Sequence, residues 1–318
     1  MRQGSIRGHV NRFLAPNEGH VQPPWRQAGI AVPFVLVVAI WGSTWYVIKD
    51  QIGLASPSWT VVARFVVAAA GMIGLALVRR ESLRLPPAAL ATAAFVGLCQ
   101  FCLNFQFVYR AEQSLTSGIM AIIMALMMIP TALLARVVFG VRIDRRFVGG
   151  SLVALAGIGL LLVHEYRAAP AGTQVLAGLA FGLAAVFSAA AASVAQLGRA
   201  ARSVPPVPLL AWAIGLGGLL DLAVALARDG WPGFDLPARF WGGAVYLALI
   251  GTVAPFPLYV GLIRRLGAGR AAYVNVAVPV MAMVISTALE GYRWTALAGW
   301  GATLAIAGLL VVMSARRG

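Results

Sequence analysis

The side chains able to make or break bonds are few and poorly placed for it. Cys99 and Cys102 form a C-x-x-C pair, the spacing of dithiol redox centres and of half a zinc site. Either use needs a redox-type frame or further ligands. This pair stands alone in an apolar run, so two packed thiols are expected. His9, His20 and His164 fall in a polar leader and a loop, leaving no His/carboxylate cluster for metal or acid–base chemistry. No metal and no cofactor is therefore expected. Gly149, Gly150, Gly157 and Gly159, like Gly299, Gly301 and Gly308, lack the strand–helix setting of a phosphate loop. They read as small residues for close helix packing.

What remains is the chemistry of non-covalent binding. Between Leu115 and Gly140 runs LTSGIMAIIMALMMIPTALLARVVFG. At 100° per residue its Ser117, Met120, Met124, Met128 and Thr131 share one face, a soft and adaptable surface. Pro130 lies around the helix from that face and removes a backbone donor in mid-run. Gln100, Asn104 and Phe107 form an i, i+4, i+7 line, and two amides on one face are costly to leave unpaired. Trp41, Thr44 and Trp45 share a face further upstream. Downstream, Asn275, Pro279, Ala282 and Ser286 stack on one side of AGRAAYVNVAVPVMAMVISTALEG (268–291). GTVAPFP (251–257) brings Pro255 and Pro257 beside Thr252, Phe256 and Tyr259, and predicts a kinked or broken helix with freed carbonyls. Phe181, Ser188 and Ala192 line a small-residue helix. Trp, Phe, Met and amide groups suit a small neutral, zwitterionic or amphipathic ligand. Ordinary helix packing is the competing reading for the methionine line, and static kinking for the prolines.

The elements that position these groups must lie in a membrane. The chain has 318 residues, 60% of them hydrophobic and 11% charged, with a mean hydropathy of +0.85, far from a soluble profile. A net charge of +15 would point to nucleic acid in a soluble protein. Here the bases sit in short loops between apolar runs, so the expected partners are the lipid bilayer and a small-molecule substrate, not nucleic acid. Ten candidate spans follow one another at 30–48, 58–78, 88–109, 115–135, 147–163, 175–197, 208–227, 239–262, 269–289 and 295–313, since about 20 apolar residues cross a bilayer. Residues 1–29 and 314–318 are polar tails. Two cysteines and no secretory cleavage pattern give no case for a disulfide framework.

Loop charges orient the spans. One side carries only Lys49, Arg110, Arg167, Arg228, Arg239 and Arg293 of the 25 bases; Arg64 is inside a span, and the rest fall on the other side with both tails. The arginine-rich side is cytoplasmic by the positive-inside rule. The proline-containing runs at 115–135 and 269–289 echo each other, as do ALAGIGLLLV (154–163) and LAIAGLLVV (304–312). The chain thus reads as an all-α polytopic membrane protein, ten transmembrane helices in two repeats, 30–163 and 175–313. Five spans per repeat invert the second half, and binding sites in such designs lie at the repeat interface.

WGSTWYVIK (41–49), the run from Pro57-Ser58 to Arg64-Phe65, a proline in spans 4 and 9 and the AG-apolar endings resemble the EamA type of the drug/metabolite transporter superfamily. The resemblance covers 30–313. It implies an inner-membrane efflux carrier for amino acids, metabolites or drugs, its pathway lined by spans 1, 3, 4, 6, 8 and 9. The family's Gly-Glu after span 4 is missing, with Val141 near that glutamate, and Glu290 precedes its glycine.

Three function classes are compatible with the chain. Duplicated, proline-interrupted spans favour a secondary carrier moving its ligand by alternating access, with Pro130, Pro255, Pro257 and Pro279 as hinges. A receptor or scaffold would not need them, and a membrane enzyme would need a buried titratable cluster. Arg64 and Asp221 each lie roughly 9 Å from a helix end at 1.5 Å per residue. Arg64 is expected to snorkel to the interface. Asp221 is too short for that, and the resemblance puts span 7 outside the pathway. Glu290 reads as a cap or loop contact. With no base expected deep in the pathway spans, multiply anionic substrates are disfavoured.

Overall fold

The computed structural model describes residues 24–140, 142–168, 172–232, 235–266, 271 and 273–314. Residues 1–23 and 315–318 of the expected tails, and Val141, lie outside the described residues; Pro24–Gly29 already belong to the first helix. The regular structure is helical throughout the described residues. We label the long segments α1 (Pro24–Ile52), α2 (Pro57–Val78), α3 (Pro87–Ala111), α4 (Ser117–Phe139), α5 (Arg145–Ala168), α6 (Gly172–Ala195), α7 (Pro206–Asp229), α8 (Ala238–Val253, continued by Pro255–Leu266), α9 (Val274–Leu289) and α10 (Ala296–Ser314). Among the described residues, eight helices are long and apolar enough to cross a membrane. Ala238–Val253 and Val274–Leu289 are shorter apolar segments.

Local chemistry sets the ends. Proline opens α2, α3 and α7, where a missing N–H costs nothing. The Ser56 hydroxyl accepts the Trp59 N–H at 3.3 Å and so caps α2. At the far end of α4, Gly140 takes φ +69°, the left-handed stop that a side chain would strain. Large apolar groups such as Leu77, Val137, Leu152, Leu219 and Trp300 are exposed around the bundle, as a lipid-facing surface requires.

Packing follows an exchange rule between α1–α5 and α6–α10. Three helices meet their own counterparts: α2 meets α7, α4 meets α9, and α5 meets α10. Other contacts come in exchanged pairs, α1–α9 with α6–α4, α2–α8 with α7–α3, and α3–α6 with α8–α1. The rule reaches single residues. Gly157 and Gly308 hold matching places in the two AG-apolar endings, and Gly150 and Gly301 stand the same distance upstream. A Cβ on Gly157 would lie 2.6 Å from the Gly301 carbonyl, and one on Gly308 would lie 2.6 Å from the Gly150 carbonyl. Exchanging the halves turns one contact into the other. Gly149, Gly159 and Gly299, by contrast, face open space.

A second device recurs. α3 widens to π-helix over Gly97–Leu103, and α8 over Tyr246–Val253, the third helix of each half. Such segments release backbone groups from the regular ladder and cluster at functional sites.

Candidate substrate pathway

Toward the arginine-rich end, the interior is aromatic and partly open. Trp41 on α1 stands edge-on to Phe256, ring centroids 6.4 Å apart, and tilts over Tyr259 at 5.3 Å. Nearer the arginine-poor side, Phe107 of α3, three residues before Arg110, stacks on Phe181 of α6 at 6.2 Å. Trp41, Gln100, Phe107, Met124, Met128, Ser188, Phe256, Tyr259 and Asn275 are all partly accessible. Trp45 is half-buried and packs between both core clusters. The Ser188 hydroxyl bonds back to the Ala184 carbonyl at 2.8 Å. Asn104 donates to the Gln100 carbonyl at 3.3 Å, while its own side-chain oxygen finds no partner among the described residues.

Arg64 corrects an expectation. Instead of snorkelling to the interface it is 4% exposed and points into the bundle. It donates to Thr252 Oγ1 at 3.1 Å and to the Tyr109 hydroxyl at 3.4 Å, with its guanidinium 4.5 Å from the Phe105 ring centroid. Nε has no hydrogen-bond partner among the described residues. Thr252 in turn donates to the Leu247 carbonyl five residues back, a group available through the π segment. Gly251 leaves the room: a Cβ there would stand 2.8 Å from Thr44 Cγ2 and 3.9 Å from the Arg64 guanidinium. Thr44 itself donates to the Trp41 carbonyl. A cation therefore does reach the α1–α3–α8 contact, carried in from α2. Its ring and hydroxyl partners offset the desolvation that made the snorkelling geometry attractive.

The arginine-poor end is closed. Ser117, Met120 and Ser286 are buried there, and Thr252 is buried at mid-membrane. Glu290 crosses between the halves: its Oε2 accepts the Ser117 backbone N–H at 3.2 Å and the Ser286 hydroxyl at 3.0 Å. An acidic group here satisfies an orphan donor in the first turn of α4 and complements the helix dipole. Beside it Gly118 admits α9, since a Cβ would lie 2.4 Å from Met283 Sδ and 3.2 Å from the Ser286 Cβ. Met120 turns to α6, its sulfur 3.5 Å from where a Cβ on Gly182 would sit. Thus Gly118, not the methionine line, carries the α4–α9 crossing.

Two residues at this end escaped sequence reasoning. Lys49, the chain's sole lysine, donates to the backbone carbonyls of Glu112 and Leu115, the latter at 2.9 Å. Glu112, in the turn between α3 and α4, is 0% exposed, and neither carboxyl oxygen has a hydrogen-bond partner among the described residues. Burial drives its pKa well above the ordinary carboxylate range; Lys49 pulls it down, Glu290 pushes it up and Arg64 pulls it down. Its place just after an apolar span, in RAEQS, made it look like a loop residue. The signal available was Lys49, a base on the side that carries few.

The hinge prolines behave unequally. α4 is interrupted at Leu126–Met127, where Leu126, Met127 and Ile129 N–H groups bond three residues back. Ile129 N takes the Leu126 carbonyl that Pro130 has no N–H to claim. Pro279 sits inside an unbroken α9. α8 yields upstream of its prolines: the π segment precedes them, the Ala254 N–H reaches the Leu249 carbonyl at 2.8 Å, and Pro255 and Pro257 fall in the first turn of the continuing helix.

Asp221 is buried where α7 meets α3. Gln106 Nε2 donates to its Oδ1 at 2.8 Å, and Arg110 donates to the Gln106 side-chain and backbone oxygens and to Ser58 Oγ. An amide stands between acid and base. Cys99 and Cys102 are free and buried in the α3 π segment.

Two exchanged halves of apolar helices around a polar and aromatic interior make a multi-pass membrane protein. The chain belongs to the EamA-like transporter family, whose model matches residues 29–163 and 176–314. It is 30% identical over 260 residues to the uncharacterized inner membrane transporter YedA of Escherichia coli (strain K12), covering 79% of this chain and 80% of that one. An S-adenosylmethionine/S-adenosylhomocysteine transporter of Chlamydia trachomatis is 23% identical, covering 79% of each chain. A probable amino-acid metabolite efflux pump of Salmonella typhimurium is 26% identical, covering 87% of this chain and 92% of that one. One solved crystal structure superposes with a TM-score of 0.63 over 92% of this chain and 99% of its own at 18% identity, which speaks for the fold alone.

Proposed function

We propose that the protein exports small zwitterionic, neutral or amphipathic metabolites or drugs, amino-acid-like compounds foremost, by alternating access across the cytoplasmic (inner) membrane. Ten spans in two inverted five-helix repeats carry it, with both termini in the cytoplasm. The observation that supports this best is the burial gradient along the interior. Trp41 and Met124 near mid-membrane, and Met128, Phe256 and Asn275 toward the arginine-rich end, are partly accessible, whereas Ser117, Met120 and Ser286 toward the other end are buried. The positive-inside rule makes the arginine-rich end cytoplasmic, and accessibility at that end supports an inward-open carrier.

α4 and α9 meet along the outer half of α4, Ser117–Ala125, while its inner half, Met128–Phe139, packs on α6. The bend at Leu126–Met127 is thus where α4 leaves α9. Rocking one half against the other about the Pro130 and Pro279 levels, with α8 yielding near Pro255 and Pro257, would close the inner end and open the outer. Arg64 changes the ground on which substrates were bounded. One guanidinium can hold one carboxylate, and the aromatic and amide groups around it suit a compact amphipathic remainder; two or more phosphates would find too little charge. The amino-acid and S-adenosylmethionine names of the two relatives fit a substrate of that kind. Proteoliposomes loaded with labelled amino acids, an amphipathic cationic drug and a sugar phosphate test this by counterflow. Exchange of the first or second class is expected. Flux of phosphorylated compounds alone, or of nothing, contradicts the proposal.

A further inference from the structure

We propose that Glu112 is a proton-binding site that locks the outer end of the carrier: protonated, it holds that end shut, and ionised, it releases it. The inference rests on the carrier reading only for the use to which the lock is put.

Geometry carries it. Glu112 lies in the turn that joins α3 to α4, outside both spans, yet its side chain is wholly buried and both carboxyl oxygens lack hydrogen-bond partners among the described residues. The nearest base does not pair with it. Lys49 gives two of its three N–H donors to the Glu112 and Leu115 backbone carbonyls, which ties the α3–α4 turn to α1. An ionised carboxylate is not left unpaired in such a place when neutralisation is open to it, so the closed end is the home of the acid form. The titratable or charged groups that face it are Lys49 on α1, Arg64 on α2, Tyr109 on α3 and Glu290 beyond α9. Glu290 is already committed to the Ser117 N–H and the Ser286 hydroxyl, and its charge opposes a second one nearby. Arg64 is committed to Thr252 and Tyr109.

The switch needs no further group. When the outer end opens, water reaches Glu112; the O–H bond breaks, the proton leaves on water, and the electron pair stays on the carboxylate. That carboxylate then competes with the neutral Leu115 carbonyl for the Lys49 ammonium, and an ionised acceptor wins. Lys49 stays with Glu112 and releases Leu115, two residues before α4, and the first turn of α4 is freed from α1. The sign follows from the raised pKa. The acid form stabilises the outward-closed state, fully at low pH, and this stabilisation is lost as pH rises through the elevated value. Glu112 therefore converts a proton on the outer side into closure of that side.

The test reads the gate and not transport. Spin labels on Gln113→Cys and Arg293→Cys, exposed positions in the outer loops of the two halves, in a Cys99→Ala/Cys102→Ala background, report the distance between those loops by pulsed EPR in nanodiscs. In the otherwise unaltered protein a single short distance is expected at low pH, and a longer population should grow as pH rises. Glu112→Gln should stay short at every pH, and Glu112→Asp should restore the response. A Glu112→Gln protein that opens with pH as the parent does overturns the proposal, and so does a parent whose distance never changes with pH. A distance that answers to sodium at fixed pH, and not to protons, overturns it as well. Because counterflow is measured separately, a carrier that exchanges solutes but shows no pH-dependent distance refutes the lock and leaves the carrier reading standing.

Discussion

The two ends of the interior are built from different chemistry. At the arginine-poor end the halves are joined by directional polar contacts: Glu290 caps α4, Asp229 accepts from Ser56, and Arg239 pairs with Asp50. Small residues let the backbones close, with Gly118 against Met283 and Gly243 against Gln51. At the arginine-rich end, the lining is Trp41, Phe256, Tyr259 and methionine, and one polar link between halves is Trp212 Nε1 on the Leu83 carbonyl at 2.7 Å. An exchange-symmetric fold could close equally well at either end. The Glu290 cap belongs to one end only, because its counterpart in sequence is Val141. Closing the outer end gains hydrogen bonds to a charged acceptor, about 1.5–3 kcal/mol each. The inner end is lined by aromatic and methionine side chains, and packing around methionine adapts to whatever fills it. One end is a lock and the other is a fitting surface.

That contrast can be broken most sharply at Gly118. Gly118→Val should hold α4 off α9 and cut counterflow by more than about tenfold, roughly 1.4 kcal/mol or more. Gly261→Ala near the inner end, where a Cβ meets open space, should stay within about twofold, the range of a surface change. Equal losses would mean that the outer crossing has no special role. Arg64→Met comes next. Loss of the buried guanidinium should lower exchange of carboxylate-bearing substrates about tenfold, as for loss of one charged hydrogen-bonded contact, while a neutral amphipathic substrate is spared. A uniform effect on both would make Arg64 a structural tie. The prolines sharpen the comparison further: Pro130→Ala should slow exchange several-fold, about 1 kcal/mol, because α4 is already open there, and Pro279→Ala should slow it less. The reverse order would put the working bend in α9. Smallest is Asp221→Asn. With Gln106 able to turn its amide and α7 away from the pathway, counterflow should remain within about twofold; its abolition in a folded protein would move the proton chemistry to α7.

Much of this was legible in the sequence because it follows from one-dimensional rules. Hydropathy marks the helices, loop charge sorts the loops into two sets, and of the glycines that read as packing residues, Gly150, Gly157, Gly301 and Gly308 meet between α5 and α10. Hidden features depend on direction. Arg64 shares its span with apolar neighbours, and only the packing of α3 and α8 around it decides between lipid interface and interior. Glu112 was hidden by its position one residue past a helix, since sequence treats a turn as exposed while here the turn folds under α1. At Pro255 and Pro257 the chemistry was read correctly as a local defect, but the strain is absorbed upstream as π-helix, a choice set by tertiary contacts with α1 and α2. The methionine line was found as a face of α4, yet which neighbour it meets, α6 or α9, depends on Gly118.

The most direct test of the contrast between ends is thiol accessibility from each side of the membrane. Asn275→Cys and Ser286→Cys lie on one face of α9, about 16 Å apart at 1.5 Å per residue. In a Cys99→Ala/Cys102→Ala background, a membrane-impermeant maleimide is applied to right-side-out and inside-out vesicles at low pH. The expected result is rapid labelling of Asn275→Cys from the cytoplasmic side only, with Ser286→Cys protected from both sides. Labelling of Ser286→Cys from outside as fast as Asn275→Cys from inside, or of neither from any side, would contradict a carrier that is locked at one end and open at the other.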